Sequence, residues 1–155
     1  LVVTDRALAG ALETLLRTRL APEMARAFGS EADGVEQWKI AGYDAAERGF
    51  FAAHRDNTAP ATAERRFALT LALNAPDAYE GGALAFPEFG TRYRPAAGTG
   101  IVFSGALLHA AEPVTRGLRL VLLAFLLDDR SDARKAARTR WFDAEADALE
   151  RALNP

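Results

Sequence analysis

The sequence contains no cysteine. Disulfide bonds and thiolate metal sites are therefore excluded, and any bound metal must be held by nitrogen and oxygen ligands. Histidine, the commonest nitrogen ligand, occurs only twice in the 155 residues, at His54 and His109. The surroundings of these two histidines are therefore the first place to look for a metal site.

Lysine is equally scarce, since only Lys39 and Lys135 are lysines and all other basic residues are arginine. We attribute this arginine excess, in an alanine-rich chain, to codon bias. The formal net charge is −2, which gives no general case for binding nucleic acid or an anionic membrane. No apolar run reaches the roughly 20 residues that span a bilayer, and the start does not resemble a secretory signal. We expect a cytoplasmic protein, and Leu1 in place of methionine suggests a processed product or a piece of a longer chain.

A chain of this length with half its residues apolar suits one domain with a hydrophobic core. We expect residues 1–155 to form a single domain in three parts. Leucines at helical spacing predict N-terminal helices over about 5–29, with Thr4 or Asp5 as the cap and a second helix that starts near Pro22. A β core follows over about 38–129, and a helical segment over about 131–154 covers one sheet.

The β core is predicted from short β-like runs that Gly, Pro, Asn and Asp separate. Eight strands in so short a segment are typical of a sandwich or jelly roll. The fold class is therefore mainly β with flanking helices (α+β), a double-stranded β-helix (jelly roll) buttressed by N- and C-terminal helices. The strands are expected near Trp38–Tyr43, Gly49–His54, Arg66–Leu73, Ala83–Phe86, Thr91–Arg94, Gly100–Ser104, Ala110–Val114 and Leu118–Leu127. Loops are expected at Ala61–Glu64 and Asn74–Tyr79, a turn or bulge at Gly81–Gly82, and core packing for Phe50–Phe51.

The first histidine lies in the segment FFAAHRDN, where an apolar run ends in His54 and Asp56 follows two residues later. Side chains at positions i and i+2 of a strand point to the same face, so these two converge at a strand end. A neutral imidazole and a carboxylate placed together are two of the three ligands of a facial metal site. Taken alone, the pair is better explained as a strand-end histidine hydrogen-bonded to an aspartate.

The second histidine makes a metal site the better explanation. His109 follows one predicted strand late in the chain and opens the next. Early and late strands can be neighbours in a jelly roll, so His109 can complete a group of three with His54 and Asp56. Two histidines and one carboxylate on one face of a metal, with open positions opposite, favour non-haem Fe(II) chemistry with O₂. Zinc accepts the same ligands and is the competing metal.

Arg119 lies ten residues after His109, inside the near-continuous apolar segment Leu118–Phe125. A permanently charged guanidinium is costly there unless it is paired, and the segment contains no acid. An anionic ligand can pair with it through two parallel hydrogen bonds. The alternatives are snorkelling to the barrel rim or pairing with Glu112 or Asp128. Strand parity places Arg119 on the barrel interior together with Val121, Leu123 and Phe125.

Four pieces of the chain carry a family pattern: HRDN at 54–57, YEGGALAFP at 79–87, GTGIVFS at 98–104 and HAAEPVTRGLR at 109–119. With these pieces, the segment from Tyr43 to Asp128 resembles the Fe(II)/2-oxoglutarate-dependent dioxygenases, in particular their prolyl 4-hydroxylase-like branch. An HxD motif alone is weak evidence, but the pieces together, in this order, are specific. The resemblance covers a little over half of the chain.

The resemblance implies that His54, Asp56 and His109 bind the catalytic Fe(II). It implies that Arg119 binds the distal carboxylate of the co-substrate 2-oxoglutarate. Tyr43 matches the tyrosine on the strand before the HxD motif that lines the co-substrate pocket, although a core tyrosine is an equally good interpretation.

One position departs from the family pattern. Relatives often carry a tyrosine that bonds the co-substrate near the end of the strand Arg66–Asn74, and Ala72 takes that position here. Thr70 on the same strand face, or Tyr43, would then supply the hydroxyl. For Thr70 an ordinary β-branched strand residue is the simpler interpretation.

We therefore predict an Fe(II)- and 2-oxoglutarate-dependent dioxygenase, a hydroxylase of C–H bonds that releases succinate and CO₂. Its partners would be 2-oxoglutarate, O₂ and a peptide or small-molecule substrate, and the resemblance also suggests L-ascorbate as a reductant. The alternatives are a non-catalytic cupin-like metal- or anion-binding sensor module and a zinc hydrolase or isomerase. Arg55, Arg65 and Arg66 are expected near the pocket mouth, where they could meet an acidic or peptide substrate, although solvated surface residues are the simpler interpretation. The sequence identifies neither the substrate nor the oligomeric state.

Overall fold

The computed structural model describes residues 1–30 and 34–127. It begins with a continuous helical stretch: α1 (Arg6–Leu15), a π-helical turn (Leu16–Leu20) and α2 (Ala21–Phe28). The Asp5 carboxylate accepts a hydrogen bond from the Leu8 amide at 2.8 Å and so caps α1, as predicted.

The second helix is likewise close to its prediction. Pro22 lies in the first turn of α2, and Gly29, with φ of 61°, ends it in the left-handed conformation. The predicted start near Pro22 is confirmed, and a π-helical turn joins the two helices without a break. The predicted C-terminal segment, about 131–154, lies outside the described residues, and the single-domain interpretation of residues 1–155 stays a prediction.

Nine strands form two sheets in the described part of the chain, and all their pairings are antiparallel. The larger sheet has the order β1-β9-β3-β7, with β4 paired to one end of β9, and the smaller has the order β2-β8-β5-β6. This is the two-sheet arrangement of a double-stranded β-helix. The strands are β1 (Gly34–Asp44), β2 (Phe51–His54), β3 (Phe67–Ala72), β4 (Tyr79–Gly81), β5 (Leu84–Phe86), β6 (Thr91–Tyr93), β7 (Gly100–Ser104), β8 (His109–Ala111) and β9 (Val114–Leu127).

Two strand predictions need correction. The sequence predicts strands at Ala110–Val114 and Leu118–Leu127, but the structure ends β8 at Ala111 and runs β9 unbroken from Val114. Gly117, with φ of 73°, does not end β9 because this part of the strand pairs with β4. The strand β4 was not predicted, because its residues lie between the expected loop Asn74–Tyr79 and the expected turn at Gly81–Gly82.

The two predicted loops contain short 3₁₀ turns, at Pro60–Thr62 and Pro76–Ala78. The predicted turn or bulge at Gly81–Gly82 is confirmed, since both residues have positive φ and the register shifts before Gly81. Core packing for Phe50–Phe51 is wrong, because these side chains are 58% and 52% exposed. β2 is an edge strand of the smaller sheet, so its outer side has no further strand beside it.

The strand β9 lies inside the larger sheet, and its two faces contact different parts of the protein. On the outer face Leu122 and Leu126 pack with Trp38 against Leu16 and Met24 of the helical stretch. On the inner face the predicted interior positions are confirmed, since Arg119, Leu123 and Phe125 line a cavity between the sheets and Val121 is 2% exposed. No helix within residues 1–30 or 34–127 is long and apolar enough to cross a membrane.

Leu126 is fully buried between the sheet and the helices, so its truncation should leave a cavity. We predict that Leu126→Ala lowers the free energy of unfolding by about 2–5 kcal/mol in denaturant titrations. Leu118→Ala on the same strand is the matched control, because Leu118 is 39% exposed and should lose less than about 1 kcal/mol. Equal losses in the two variants would contradict the assigned faces of β9.

Candidate active site

The two histidines face each other across the smaller sheet. His54 is the last residue of β2 and His109 the first of β8, and the antiparallel register pairs them directly. Their ring centroids lie 4.3 Å apart. The β2 strand then ends, and the Asp56 amide donates a hydrogen bond to the Gly105 carbonyl at 2.8 Å. This bond fixes the residue after the strand close to the turn that precedes His109.

The carboxylate of Asp56 lies between the two imidazoles. Its Oδ1 is 3.3 Å from His54 Nε2, and its Oδ2 is 3.6 Å from His109 Nε2. One ligand atom from each of the three residues lies within 4.8 Å of the others, so a single cation can contact all of them. Asp56 and His109 are buried, whereas the His54 side chain is 32% exposed and lies at the open side.

Backbone contacts orient both rings for metal binding. His54 Nδ1 lies 2.8 Å from the Ala52 carbonyl oxygen, and His109 Nδ1 lies 3.0 Å from that of Leu107. A carbonyl only accepts, so each Nδ1 carries the proton and donates it. Each Nε2 is then left with a lone pair directed at Asp56. Burial lowers the pKa of His109, which favours the neutral form that binds metals.

One carboxylate oxygen of Asp56 also indicates that these residues fit a metal. Asp56 Oδ2 is buried and has no hydrogen-bond partner within residues 1–30 and 34–127. A buried carboxylate oxygen without a donor is costly unless a cation compensates it. Two free imidazole nitrogens and one uncompensated carboxylate suit a divalent cation held on one face.

Arg55 braces the loop that carries these ligands. Its guanidinium donates to the Ala106 carbonyl and, at 2.7 Å, to Glu88, while Glu88 accepts from the Leu108 amide at 3.2 Å. Arg55 is a surface arginine as expected, since its side chain is 37% exposed, but its guanidinium is paired with Glu88. The expectation is wrong for Arg65, whose side chain is 15% exposed and bound to Glu36 through two hydrogen bonds. Arg66 has its guanidinium 5.4 Å from the centre of the Phe67 ring.

A cavity of about 330 Å³ opens beside the three ligands. All six residues predicted for the site contribute to its wall. Much of the remaining wall is apolar, with Phe51, Ala68, Leu84 and Phe103 among its residues. The six predicted residues are Tyr43, His54, Asp56, Thr70, His109 and Arg119.

Arg119 is 5% exposed and has no ion-pair partner among the described residues. Of the two acids considered as partners, Glu112 binds Arg92 instead and Asp128 lies outside the described residues. The register pairs Arg119 directly with Tyr43, and its guanidinium lies 5.1 Å from the Tyr43 ring centre. Its aliphatic stem passes Gly82, where an added Cβ would lie only 3.1 Å from Arg119 Cδ. The structure therefore places in the cavity wall a buried cation that no acid of the described part of the chain neutralises.

Tyr43 and Thr70 lie on the two strands that flank β9. Burial raises the pKa of Tyr43, while the charge of Arg119 lowers it in part, so the phenol keeps its proton at neutral pH. Thr70 is buried and pairs with Leu123, and Ala72 pairs with Val121 one step closer to Arg119. The hydroxyl of Thr70 is thus in the same cavity wall as Arg119, but its partner on β9 lies four residues beyond Arg119.

Sequence reasoning missed one charged residue of the cavity, Lys39. It lies two positions before Ala41 and four before Tyr43, and all three line the cavity. The period of two along β1 is the signal that would have found it, because Tyr43 already marked the inner face.

The comparisons with known proteins agree with this geometry. The 2OG-Fe(II) oxygenase superfamily matches residues 38–127, which hold the cavity and all six predicted site residues. A PKHD-type hydroxylase of Prochlorococcus marinus (strain MIT 9313) is 36% identical over 75 residues, which are 47% of this chain and 34% of that protein. The chain thus aligns with about a third of the length of this curated relative.

Solved structures share the fold. An oxidoreductase of the 2OG-Fe(II) oxygenase family from Burkholderia pseudomallei superposes with a TM-score of 0.64 at 24% identity, covering 81% of this chain and 60% of that one. A viral collagen prolyl hydroxylase from Paramecium Bursaria Chlorella virus-1, in complex with 2OG, gives a TM-score of 0.61 at 20% identity, covering 81% and 75%. The family match spans more than half of the sequence and includes the HxD motif, the second histidine and the arginine ten residues later. The chain belongs to the 2OG-Fe(II) oxygenase superfamily.

Proposed function

We propose that this protein is an Fe(II)- and 2-oxoglutarate-dependent hydroxylase. The observation that carries the proposal is the grouping of His54, Asp56 and His109 at one wall of a cavity that also contains the buried cation Arg119. A metal group alone also suits the sensor or zinc alternatives. A buried cation in the same cavity adds a place for a dianionic co-substrate.

His54, Asp56 and His109 would hold the metal through two Nε2 atoms and one carboxylate oxygen. The carbonyls of Ala52 and Leu107 keep both Nδ1 atoms protonated, which raises the basicity of the ligating nitrogens. When bound, Fe(II) would supply the activation of O₂ that 2-oxoglutarate oxidation and substrate hydroxylation require.

Arg119 would bind the distal carboxylate of 2-oxoglutarate in a bidentate pair. Tyr43, whose phenol keeps its proton, would donate a hydrogen bond beside it. Thr70 would supply a second hydroxyl in place of the tyrosine that Ala72 replaces. Arg119 faces the cavity and its guanidinium lies against the Tyr43 ring. The distal carboxylate of the co-substrate would therefore be held in one position.

The apolar wall would keep water away from the reacting groups. Phe103 packs against the His109 ring at 4.7 Å between centroids, and Phe51 packs against the His54 ring at 4.3 Å. These contacts restrict ring rotation and reduce hydration of the ligands. A peptide or a small molecule as the substrate, a role for L-ascorbate and a cytoplasmic location stay predictions.

Metal binding should depend on the three ligands. We predict that Fe(II), added anaerobically at about 100 times its dissociation constant, stabilises the protein by about 2.7 kcal/mol, seen as a raised unfolding temperature. His54→Ala and His109→Gln should lose this stabilisation, whereas Asn57→Ala, beside the HxD motif, should keep it. The same metal response in all variants would refute the ligand assignment.

Turnover separates the proposed hydroxylase from a sensor module. We expect Fe(II), 2-oxoglutarate and O₂ to yield succinate in the presence of substrate, and slowly without it, with no succinate from His54→Ala. Binding of 2-oxoglutarate without any succinate across candidate substrates would favour the non-catalytic alternative. Activity with Zn(II) but not Fe(II) would favour a zinc enzyme.

Gly82 gives a test of the role of Arg119 that leaves the arginine in place. An alanine Cβ there would lie 2.8 Å from Val114 Cγ2 and 3.1 Å from Arg119 Cδ, so the stem must shift. We predict that Gly82→Ala weakens 2-oxoglutarate binding about 10-fold or more in calorimetry, because a charge-assisted pair contributes about 1.5–3 kcal/mol. Gly90→Ala is the matched control, since it has a similar positive φ but nothing within 4 Å. Equal affinities would contradict the prediction that the contact of Gly82 with the Arg119 stem controls co-substrate binding.

A further inference from the structure

A second cation lies in the cavity wall. Lys39 on β1 pairs with Leu123, while Tyr43 pairs with Arg119 further along the same two strands. The start of the chain supports this part of β1 from its other edge, because the Val3 amide donates to Trp38 and the Ile40 amide donates to Leu1. Lys39 is therefore held on a strand with hydrogen-bonded neighbours on both sides.

The ammonium of Lys39 lies 5.5 Å from the centre of the Phe125 ring. The Arg65 guanidinium lies 3.7 Å from the same ring, but Glu36 already binds it at 2.6 and 2.7 Å. Lys39 forms no ion pair with any carboxylate in residues 1–30 or 34–127. Of the two cations at this ring, Arg65 is hydrogen-bonded to Glu36, whereas Lys39 makes no direct ion pair in the described residues and acts on Glu36 only through its charge, which adds to the effect of Arg65 in lowering the pKa of that carboxyl.

The position of Lys39 separates it from the co-substrate end of the cavity. Its row in the sheet is four residues from that of Arg119, which is about 13 Å along the strands. The terminal carbons of 2-oxoglutarate are only about 5 Å apart when extended. One molecule with a carboxylate on Arg119 therefore does not bring its other carboxylate to the row of Lys39.

Lys39 lies instead toward the side of the metal ligands. Arg65 has its guanidinium on the same Phe125 ring, and Gly105 contacts both Arg65 and Asp56, since a Cβ there would lie 2.6 Å from the Arg65 carbonyl oxygen and 3.6 Å from Asp56 Cβ. Asp56 is thus near this end of the cavity. An anion on Lys39 would lie close to the metal group, where a substrate must enter.

The charges in the cavity also favour an anion at Lys39. Fe(II), the Asp56 carboxylate, dianionic 2-oxoglutarate and the Arg119 guanidinium together sum to zero, so Lys39 leaves one positive charge in the loaded cavity. A charge facing a cavity with a largely apolar wall favours a ligand of opposite sign.

We propose that Lys39 determines substrate specificity by binding a carboxylate of the substrate. This inference rests on the proposed function and names its substrate class: a molecule with a carboxylate near the C–H bond that is hydroxylated. The carboxylate belongs either to a free amino acid or to an acidic side chain of a peptide, since both present the same group.

Two panels of probes distinguish these sources. The first pairs free L-amino acids with their carboxamides, and the second pairs blocked peptides that contain Glu or Asp with peptides that contain Gln or Asn. Each probe is added to protein loaded with Fe(II) and 2-oxoglutarate, and binding is measured anaerobically by calorimetry before succinate formation is followed in air. We expect at least one acid to bind about 10-fold or more tightly than its amide.

Three variants assign that preference. Lys39→Met should abolish the preference for acid over amide, Lys39→Arg should retain most of it, and Arg92→Met, which removes an exposed arginine outside the cavity wall, should leave it unchanged. An unchanged preference in Lys39→Met, or no acid preference in the wild type on either panel, overturns the proposal.

The affinity for 2-oxoglutarate distinguishes a wrong role for Lys39 from a wrong proposed function. Lys39→Met should bind 2-oxoglutarate within about 2-fold of the wild type, since Arg119 holds it at the other end. Wild-type protein that fails to bind 2-oxoglutarate in the presence of Fe(II) would contradict the proposed function. Normal co-substrate binding without acid selectivity would contradict only the role of Lys39.

Discussion

The antiparallel register between β2 and β8 is the constraint on which the site depends. It pairs His54 with His109 across two short strands, so their rings meet without any contribution from a flexible loop. A shift of one residue would turn one histidine to the opposite face of the sheet. Asp56 needs only the two-residue step beyond β2 and the backbone bond to Gly105 to reach the space between the rings.

The long strand β9 imposes the second constraint. It pairs with β1, β3 and β4, so Arg119 is buried among strands on either side and its charge is kept from bulk water. The outer face of the same strand binds the helical stretch through Leu122 and Leu126. One strand thus joins the hydrophobic core to the charged wall of the cavity, and the period of two keeps these functions on separate faces.

The sequence predicted the parts of this arrangement that depend on period and order. The alternation along β9 predicted that Arg119 faces the interior of the barrel. The two histidines together with Asp56 predicted the metal group. The sequence did not predict β4, because Tyr79–Gly81 lies between a loop signal and a Gly-Gly turn signal and becomes a strand through its pairing with β9. The exposure of Phe50 and the brace between Arg55 and Glu88 also depend on which strands and loops become neighbours, and local pattern does not contain that information. Lys39 was missed for a different reason: its parity was readable, but a single lysine in a strand carries no motif.

Gly105 connects both ends of the loop over residues 57–65. Its carbonyl accepts from Asp56 before the loop, and its amide donates to Arg66 after it. A Cβ at this position would lie 2.6 Å from the Arg65 carbonyl oxygen, so the close approach requires glycine. With both ends fastened to one residue, lengthening the loop costs mainly a slowly growing closure entropy and leaves Asp56 in place. The loop can therefore change in length without moving the metal ligand at its start, so the position of Asp56 is independent of what the loop contains.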